Sequence, residues 1–286
     1  MPYFIYLLTL TLIMLILCWS FQLIIGYTGI VNLAHVGLMG IGAYAAVIAV
    51  KTLHVPFGLA LLIAIIAPLP FAWLLSRLTR KVSGDYLALM TLWFMFVLYV
   101  VELNLQSITR GPLGLANIFS PWPFRDPLTY CLLVSVIALA VFFFLRRMIN
   151  SPFGRVLAAV RDDEISAVAL GKNTTRVKTT VFLISGALAG LSGACFAFFI
   201  HFIDPASFHV PLIVTVLTIV IVGGLGSMPA TTAGVIALII LQESLRFLPL
   251  SPDGIGALRQ IVYAGSLLII LYYRPKGMLG RVQLPA

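Results

Sequence analysis

Residues 185–197 read SGALAGLSGACFA, and this run predicts how the chain packs. Small residues recur here at every fourth position, which places them on one face of a helix. They are Ser185, Ala189, Gly193 and Ala197, flanked by Gly186, Gly190 and Ala194. Lipid gives helices no hydrophobic reason to associate, so close backbone approach at small residues holds them together. We therefore expect a membrane helix that packs on a neighbour along its length, with Ser185, Ala189 and Gly193 at the contact.

The composition supports a lipid environment for the whole chain. Of its 286 residues, 61% are hydrophobic and 9% are charged, and the mean hydropathy is +1.11. Soluble domains carry about 25% charged residues. Backbone groups in lipid must pair within their own segment, which favours helices. The sequence predicts an all-α, polytopic membrane helical bundle forming a single transmembrane domain over residues 1–286.

Apolar segments give the predicted number of spans. A helix needs roughly 20 apolar residues to cross about 30 Å of hydrocarbon. About nine segments qualify, within a range of eight to ten. The first is expected to be a retained span and not a signal peptide, because it lacks a basic n-region and a cleavage site. They are 3–25, 35–50, 57–75, 86–102, 128–145, 179–200, 212–226, 229–248 and 257–273.

Basic residues predict the orientation of these spans. Thirteen of the 18 Lys and Arg residues lie in segments 76–85, 146–178 and 274–286, which nine spans place on one side. Lys and Arg mark the cytoplasmic side of a membrane protein. The N-terminus is then outside and the C-terminus inside. The net charge of +9 therefore reflects topology, and no basic stripe with interleaved aromatics points to nucleic acid.

Motifs of soluble enzymes are missing from the sequence. It contains no phosphate-binding loop ending in Gly-Lys-Ser/Thr, no Gly-x-Ser-x-Gly and no His-Glu-x-x-His. Cys18, Cys131 and Cys195 lie far apart in apolar runs without metal-ligand spacing. We expect no catalytic residue, metal or cofactor, and no ATPase site within the chain.

Two glycine-dense segments interrupt the apolar pattern, GYTGIVNLAHVGLMGIGAYAA at 26–46 and VGGLGSMPATTAG at 222–234. Broken helices of this kind often line the substrate path of transporters. The two segments serve equally well as turns or as tight helix contacts. His35 either lines a pathway or acts as a structural tie by donating to a backbone carbonyl. The candidate pathway residues are Asn32, His35, Gly40, Gly42, Gly223 and Gly224.

A charged stretch, SPFGRVLAAVRDDEISAVALG at 151–171, lies within the long loop 146–178. Its periodicity predicts two short helices, the second capped by Asp162 or Asp163 and ended by Gly171. Such a projection is either a docking surface for a partner or a solvated loop held by local ion pairs. The candidate docking residues are Arg155, Arg161, Asp162, Glu164, Ala167 and Gly171.

Several blocks of the chain resemble one family. GRVLAAVRDDEISAVALGKN at 154–173 and KTTVFLISGALAGLSGACFA at 178–197 resemble permease subunits of ABC importers for branched-chain amino acids, the M-type above all. The same order of blocks continues in 26–46, 221–238 and 259–280.

The resemblance implies a membrane-spanning importer subunit in the cytoplasmic membrane of a bacterium or archaeon. Its partners would be a second permease chain in a heterodimer, two ATP-binding cassette subunits and an external substrate-binding protein. The loop 146–178 would carry the coupling helix on which the ATPases dock. A permease for urea or short amides, a stand-alone facilitator or channel, and a scaffold without transport are the alternatives.

Overall fold

The computed structural model describes residues 2–79, 82, 84–118 and 124–244, and eight further positions between 258 and 278. Within these residues the chain is helical apart from short connections and one two-residue strand pair. The α-helices are α1 (Pro2–Thr28), α2 (His35–Lys51), α3 (Phe57–Ile66), α4 (Leu69–Leu78), α5 (Asp85–Asn104), α6 (Gln106–Thr109), α7 (Pro127–Ile149), α8 (Pro152–Asp162), α9 (Glu164–Ala169), α10 (Thr174–Ile200), α11 (Val210–Gly223) and α12 (Met228–Ser244).

A small antiparallel strand pair joins two long connections, the one that follows α5 and the one that follows α10. Strands β1 (Leu115–Ala116) and β2 (Phe202–Ile203) align Leu115 with Ile203. Lys51 Nζ donates to the carbonyl oxygen of Ala116 at 2.6 Å and so attaches the end of α2. A 3-10 turn, Pro205–Phe208, then leads into α11.

Six helical segments of the described chain are long and apolar enough to cross a membrane: Tyr3–Thr28, Phe57–Leu78, Asp85–Asn104, Pro127–Ile149, Thr174–Ile200 and Pro205–Gly223. Two shorter apolar helices, α2 and α12, complete the set. Helices α3 and α4 form one span that is interrupted before Pro68, where α3 ends at Ile66. These segments confirm a helical membrane bundle and overlap the first eight predicted spans. The ninth, 257–273, lies largely outside the described residues, so a total of nine stays a prediction.

Helix α10 lies at the centre and packs on α2, α1, α3 and α4. Its contact with α2 is made by backbone atoms. A β-carbon added at Gly42 would lie 2.2 Å from the Cα of Gly190, and one added at Gly193 would lie 2.0 Å from the carbonyl oxygen of Met39. Ser185 and Ala189 are buried on the same helix. The small residues of 185–197 therefore allow an approach that no larger side chain permits.

Hydrogen bonds between helices orient α10 relative to its neighbours. The Ser192 hydroxyl donates to the carbonyl oxygen of Ile13 on α1 at 3.2 Å. The Tyr130 hydroxyl on α7 donates to the carbonyl oxygen of Cys195 at 2.7 Å. Such bonds contribute roughly 0.6–2 kcal/mol each between membrane helices. They fix the rotation of α10 against both neighbours.

Replacing Gly193 with alanine tests the α2–α10 contact. The added methyl group meets the Met39 carbonyl, so the helices must separate, and overpacking of this kind costs roughly 1–3 kcal/mol. We expect a lower melting temperature of the purified protein in detergent. Gly58→Ala is the matched control, since nothing lies within 4 Å of a β-carbon there. Equal melting temperatures for both variants would contradict the contact.

Candidate functional site

The segment 151–173, here called the elbow, folds as the two predicted short helices between α7 and α10. Ser151 begins α8: its hydroxyl accepts from the backbone N–H of Phe153 at 3.2 Å and donates to the carbonyl oxygen of Met148 at 2.6 Å. Pro152 occupies the first helical position, where its missing N–H costs nothing. Leu157 and Val160 are buried. The helix α8 therefore rests against the bundle by one apolar face.

Asp163 caps the second helix of the elbow, α9. Its Oδ1 accepts from the backbone N–H groups of Ile165 at 2.9 Å and Ser166 at 3.2 Å. The Ser166 hydroxyl also donates to this carboxylate, and these donors together lower the pKa of Asp163 below its usual value. Gly171, with φ at +75°, ends the turn after α9, as a C-terminal glycine does.

The exposed face of the elbow is apolar. Ile165 is 83% exposed, Val168 54% and Leu170 75%. Ala167, expected from the sequence on the presented surface, is 1% exposed and faces the bundle instead. Gly171 is exposed, as expected. Three large apolar side chains thus project together from a short, polar-flanked helix.

Ion pairs involve three of the candidate docking residues, Glu164, Arg161 and Asp162. Lys178 Nζ on α10 lies 2.7 Å from Glu164 Oε2, which joins the start of α9 to the central helix. Arg161 pairs with its exposed neighbour Asp162 at 2.8 Å, a surface contact worth little to stability. Arg155 is exposed on α8.

Arg161 also connects the elbow to α1. Its Nη1 donates to the carbonyl oxygen of Gly26 at 3.2 Å, and its aliphatic stem lies beside Gly29, whose φ is +70°. The guanidinium therefore holds the last turn of α1 and the chain that follows it. Any displacement of α8 acts directly on this helix end.

A second connection runs from α1 to the turn between α11 and α12. Gln22 is buried, and its Nε2 donates to the carbonyl oxygen of Gly224 at 3.1 Å. Gly224 adopts φ +121°, which only glycine takes readily. A β-carbon at Gly223 would lie 2.4 Å from the carbonyl oxygen of Ala230, so α11 and α12 touch there. These two candidate pathway glycines occupy a turn and a helix contact.

The polar pair in the first glycine-dense segment is fully buried. His35 Nε2 lies 2.9 Å from the Ser20 hydroxyl of α1. Asn32 Oδ1 accepts from the backbone N–H of Ala34 at 3.2 Å and supports the bend before α2. The contact with Ser20 favours a structural role for His35 over a pathway role. A pathway role for Asn32 and His35 stays a prediction.

Gly40 and Gly42 lie on different faces of α2. Gly42 contacts Gly190 of α10, as described above. Gly40 instead lies opposite α5 and the turn before α11, next to the side chains of Glu102 and Phe208. Helix packing explains Gly42, whereas Gly40 borders a buried acid.

Residues 3–271 match the family described as the permease component of the branched-chain amino acid transport system. The chain belongs to this family. The high-affinity branched-chain amino acid transport system permease protein LivM of Escherichia coli K12 is 30% identical to it, over 95% of this chain and 68% of the relative. LivM of Salmonella typhimurium is 29% identical over the same shares. LivH of E. coli K12 is 25% identical over 92% of this chain and 89% of the relative. No solved structure matches the chain.

Glu102 is a buried acid, among the described residues of the permease, that the sequence analysis missed. It lies near the end of α5, and its side chain is 7% exposed. In the sequence it stands in VVELN, where an acid at the end of an apolar run suggests the membrane surface. The signal that could have found it is that Glu102 is the last residue of the predicted span 86–102 and the only charged residue within that span.

Removing the Asp163 cap tests the architecture of the elbow in the permease. Asp163→Ala leaves the first N–H groups of α9 without their acceptor, which destabilises the start of this helix. Hydrogen–deuterium exchange of residues 163–171 should then accelerate by roughly fivefold. Because the pKa of Asp163 is lowered, the cap is charged at neutral pH and weakens only as pH falls through that low pKa. Asp162→Ala is the control, and equal exchange in both variants would contradict the cap.

Proposed function

We propose that this chain translocates branched-chain amino acids across the cytoplasmic membrane as one permease subunit of an ABC importer. The observation that carries the proposal is the elbow: an exposed apolar surface attached by polar contacts to the central helices. Family membership gives the class of transport system. The likeness to proteins named LivM and LivH, both branched-chain amino acid permeases, supports the substrate class.

The proposed assembly contains a second permease chain, two ATP-binding cassette subunits and an external binding protein. Likeness to LivM and LivH, two permease proteins with the same transport system in their names, supports a heterodimer of related permeases. The chain has no phosphate-binding loop, so separate subunits must hydrolyse ATP. The elbow then faces the cytoplasm, with the N-terminus outside and the C-terminus inside.

The apolar surface of α9 is the proposed contact with an ATPase. Ile165, Val168 and Leu170 are the anchors that a groove on the ATPase buries, and an amphipathic helix in a groove is a common recognition mode. Arg155 and Asp162 lie on the polar rim. Glu164 contributes by holding α9 against Lys178 rather than by reaching the partner.

Movement of the docked elbow would be passed on along three contacts. The Glu164–Lys178 ion pair acts on α10, and Arg161 acts on the carbonyl of Gly26 in α1. Gln22 then carries the displacement from α1 to the turn at Gly224. Closure of the ATPases on ATP would thus tilt the spans and switch the path from one side of the membrane to the other.

A charge placed in the apolar surface tests the proposal. Leu170→Asp puts a carboxylate where the ATPase should bury an apolar group, and each 1.4 kcal/mol of desolvation cost weakens binding about tenfold. We expect the ATPase subunits to be lost on co-purification and ATP-driven leucine uptake by proteoliposomes to fall at least about tenfold.

Leu113→Asp is the matched control, because Leu113 is equally exposed but lies at the opposite end of the bundle. It should assemble and transport normally. Normal ATPase association of Leu170→Asp would contradict docking by this surface. A wild-type importer that takes up urea or a short amide but no leucine would instead contradict the substrate class.

A further inference from the structure

Glu102 carries a buried carboxyl group that the rest of the structure does not use. Its side chain is 93% buried, and its Oε1 has no hydrogen-bond partner among the described residues. Neither Lys nor Arg pairs with it there, since the described ion pairs are Arg161–Asp162 and Lys178–Glu164. An ionisable group within a membrane span is costly, and it marks a substrate or ion pathway by default.

The chain makes room for this carboxyl group at Gly40. A β-carbon there would lie 2.8 Å from Glu102 Oε1 and 3.1 Å from Phe208 Cβ, so alanine at this position would collide with both. Gly40 precedes Lys51, at the end of α2, by roughly 16 Å along the helix axis. The carboxyl group is therefore buried beside the first half of α2, although Glu102 lies near the end of α5.

A second polar group without a partner lies beside the first. Tyr44 follows Gly40 by one helical turn and is 4% exposed, and no described residue bonds its hydroxyl. The carboxyl groups of Glu102 and Asp204 both act electrostatically on this hydroxyl. The Tyr44 ring packs edge-on against Phe208, with ring centroids 6.2 Å apart. Glu102, the Tyr44 hydroxyl and the two aromatic rings thus lie in one region, between α2, α5 and the turn before α11.

This set of groups fits an ammonium ion better than other ligands. A primary ammonium group has three N–H donors, which a carboxylate and a tyrosine oxygen can accept, and aromatic rings attract cations. Hard metal cations need six or more oxygen ligands, and the described residues here offer fewer. An anion finds no positive charge among the described groups here. Leu98 and Met95, which lie beside Gly37, are apolar and suit an aliphatic side chain.

We propose that Glu102 and Tyr44 bind the α-ammonium group of the amino acid during its passage, and that Gly40 lets the Glu102 carboxyl group lie against α2. This inference rests on the proposed function, and it adds the position at which the permease itself recognises the amino acid. Urea and neutral amides carry no ammonium group. The site therefore explains how the permease would favour amino acids beyond the selection made by the binding protein.

The test uses the complete importer, with both permeases, the ATPases and the binding protein, in proteoliposomes loaded with ATP. Glu102→Gln keeps the shape of the side chain and removes its charge. Loss of a charge-assisted hydrogen bond should lower the initial rate of leucine uptake roughly tenfold or more. Binding-protein-stimulated ATP hydrolysis should continue. Glu102→Asp, which keeps the charge, should restore part of the uptake.

Asp126→Asn is the control, since Asp126 is an exposed acid before α7, and its uptake should match wild type. Wild-type leucine uptake by Glu102→Gln would overturn the site while leaving the proposed function intact. An absence of leucine uptake by the wild-type importer would overturn the proposed function itself. Should Gln at position 102 prevent assembly, Tyr44→Phe decides: a severalfold loss of uptake supports the site, and unchanged uptake overturns it.

Discussion

The contact between α2 and α10 is made by backbone, and the rest of the bundle is arranged around it. Gly42 meets Gly190, and Gly193 meets the carbonyl of Met39, at distances that exclude any side chain. Lipid offers no hydrophobic gain for bringing helices together, so dispersion contacts of this kind must hold them. The two helices therefore form one closely packed unit, and the elbow is attached to it at the start of α10 through the Glu164–Lys178 ion pair.

Polar contacts then connect the outer helices to this centre. Ser192 bonds α1 and Tyr130 bonds α7, while Gln22 joins α1 to the turn between α11 and α12. Such bonds are few in an apolar protein, and each joins elements far apart in sequence. The same contacts that position the helices form the proposed route from the elbow to α10, α1 and the turn between α11 and α12.

Local chemistry was readable from the sequence. The cap of α9, the glycine that ends the elbow and the apolar spans all depend on neighbours within a few residues. Long-range placement was not readable. Ala167 was expected on the presented surface, but α9 lies with this residue inward and with Ile165 and Leu170 outward, because Lys178 holds Glu164.

Gly42 was a pathway candidate, yet its position against Gly190 depends on which helix packs there. Glu102 stood near a span end in sequence, and only the partner helix α2 shows that it is buried. The pathway role of the glycine-dense segments stays a prediction.

The contact between Arg161 and Gly26 gives the most direct test that movement of the elbow is passed on to α1. Arg161→Met keeps the stem beside Gly29 and removes the hydrogen bond to the α1 carbonyl. Leucine taken up per ATP hydrolysed should be measured in the reconstituted importer, with Arg147→Met as the control. If the elbow drives α1, uptake per ATP falls roughly tenfold while hydrolysis stays within about twofold of wild type, since the lost bond to a charged donor is worth about 1.5–3 kcal/mol. An unchanged ratio of uptake to hydrolysis would contradict transmission through this contact.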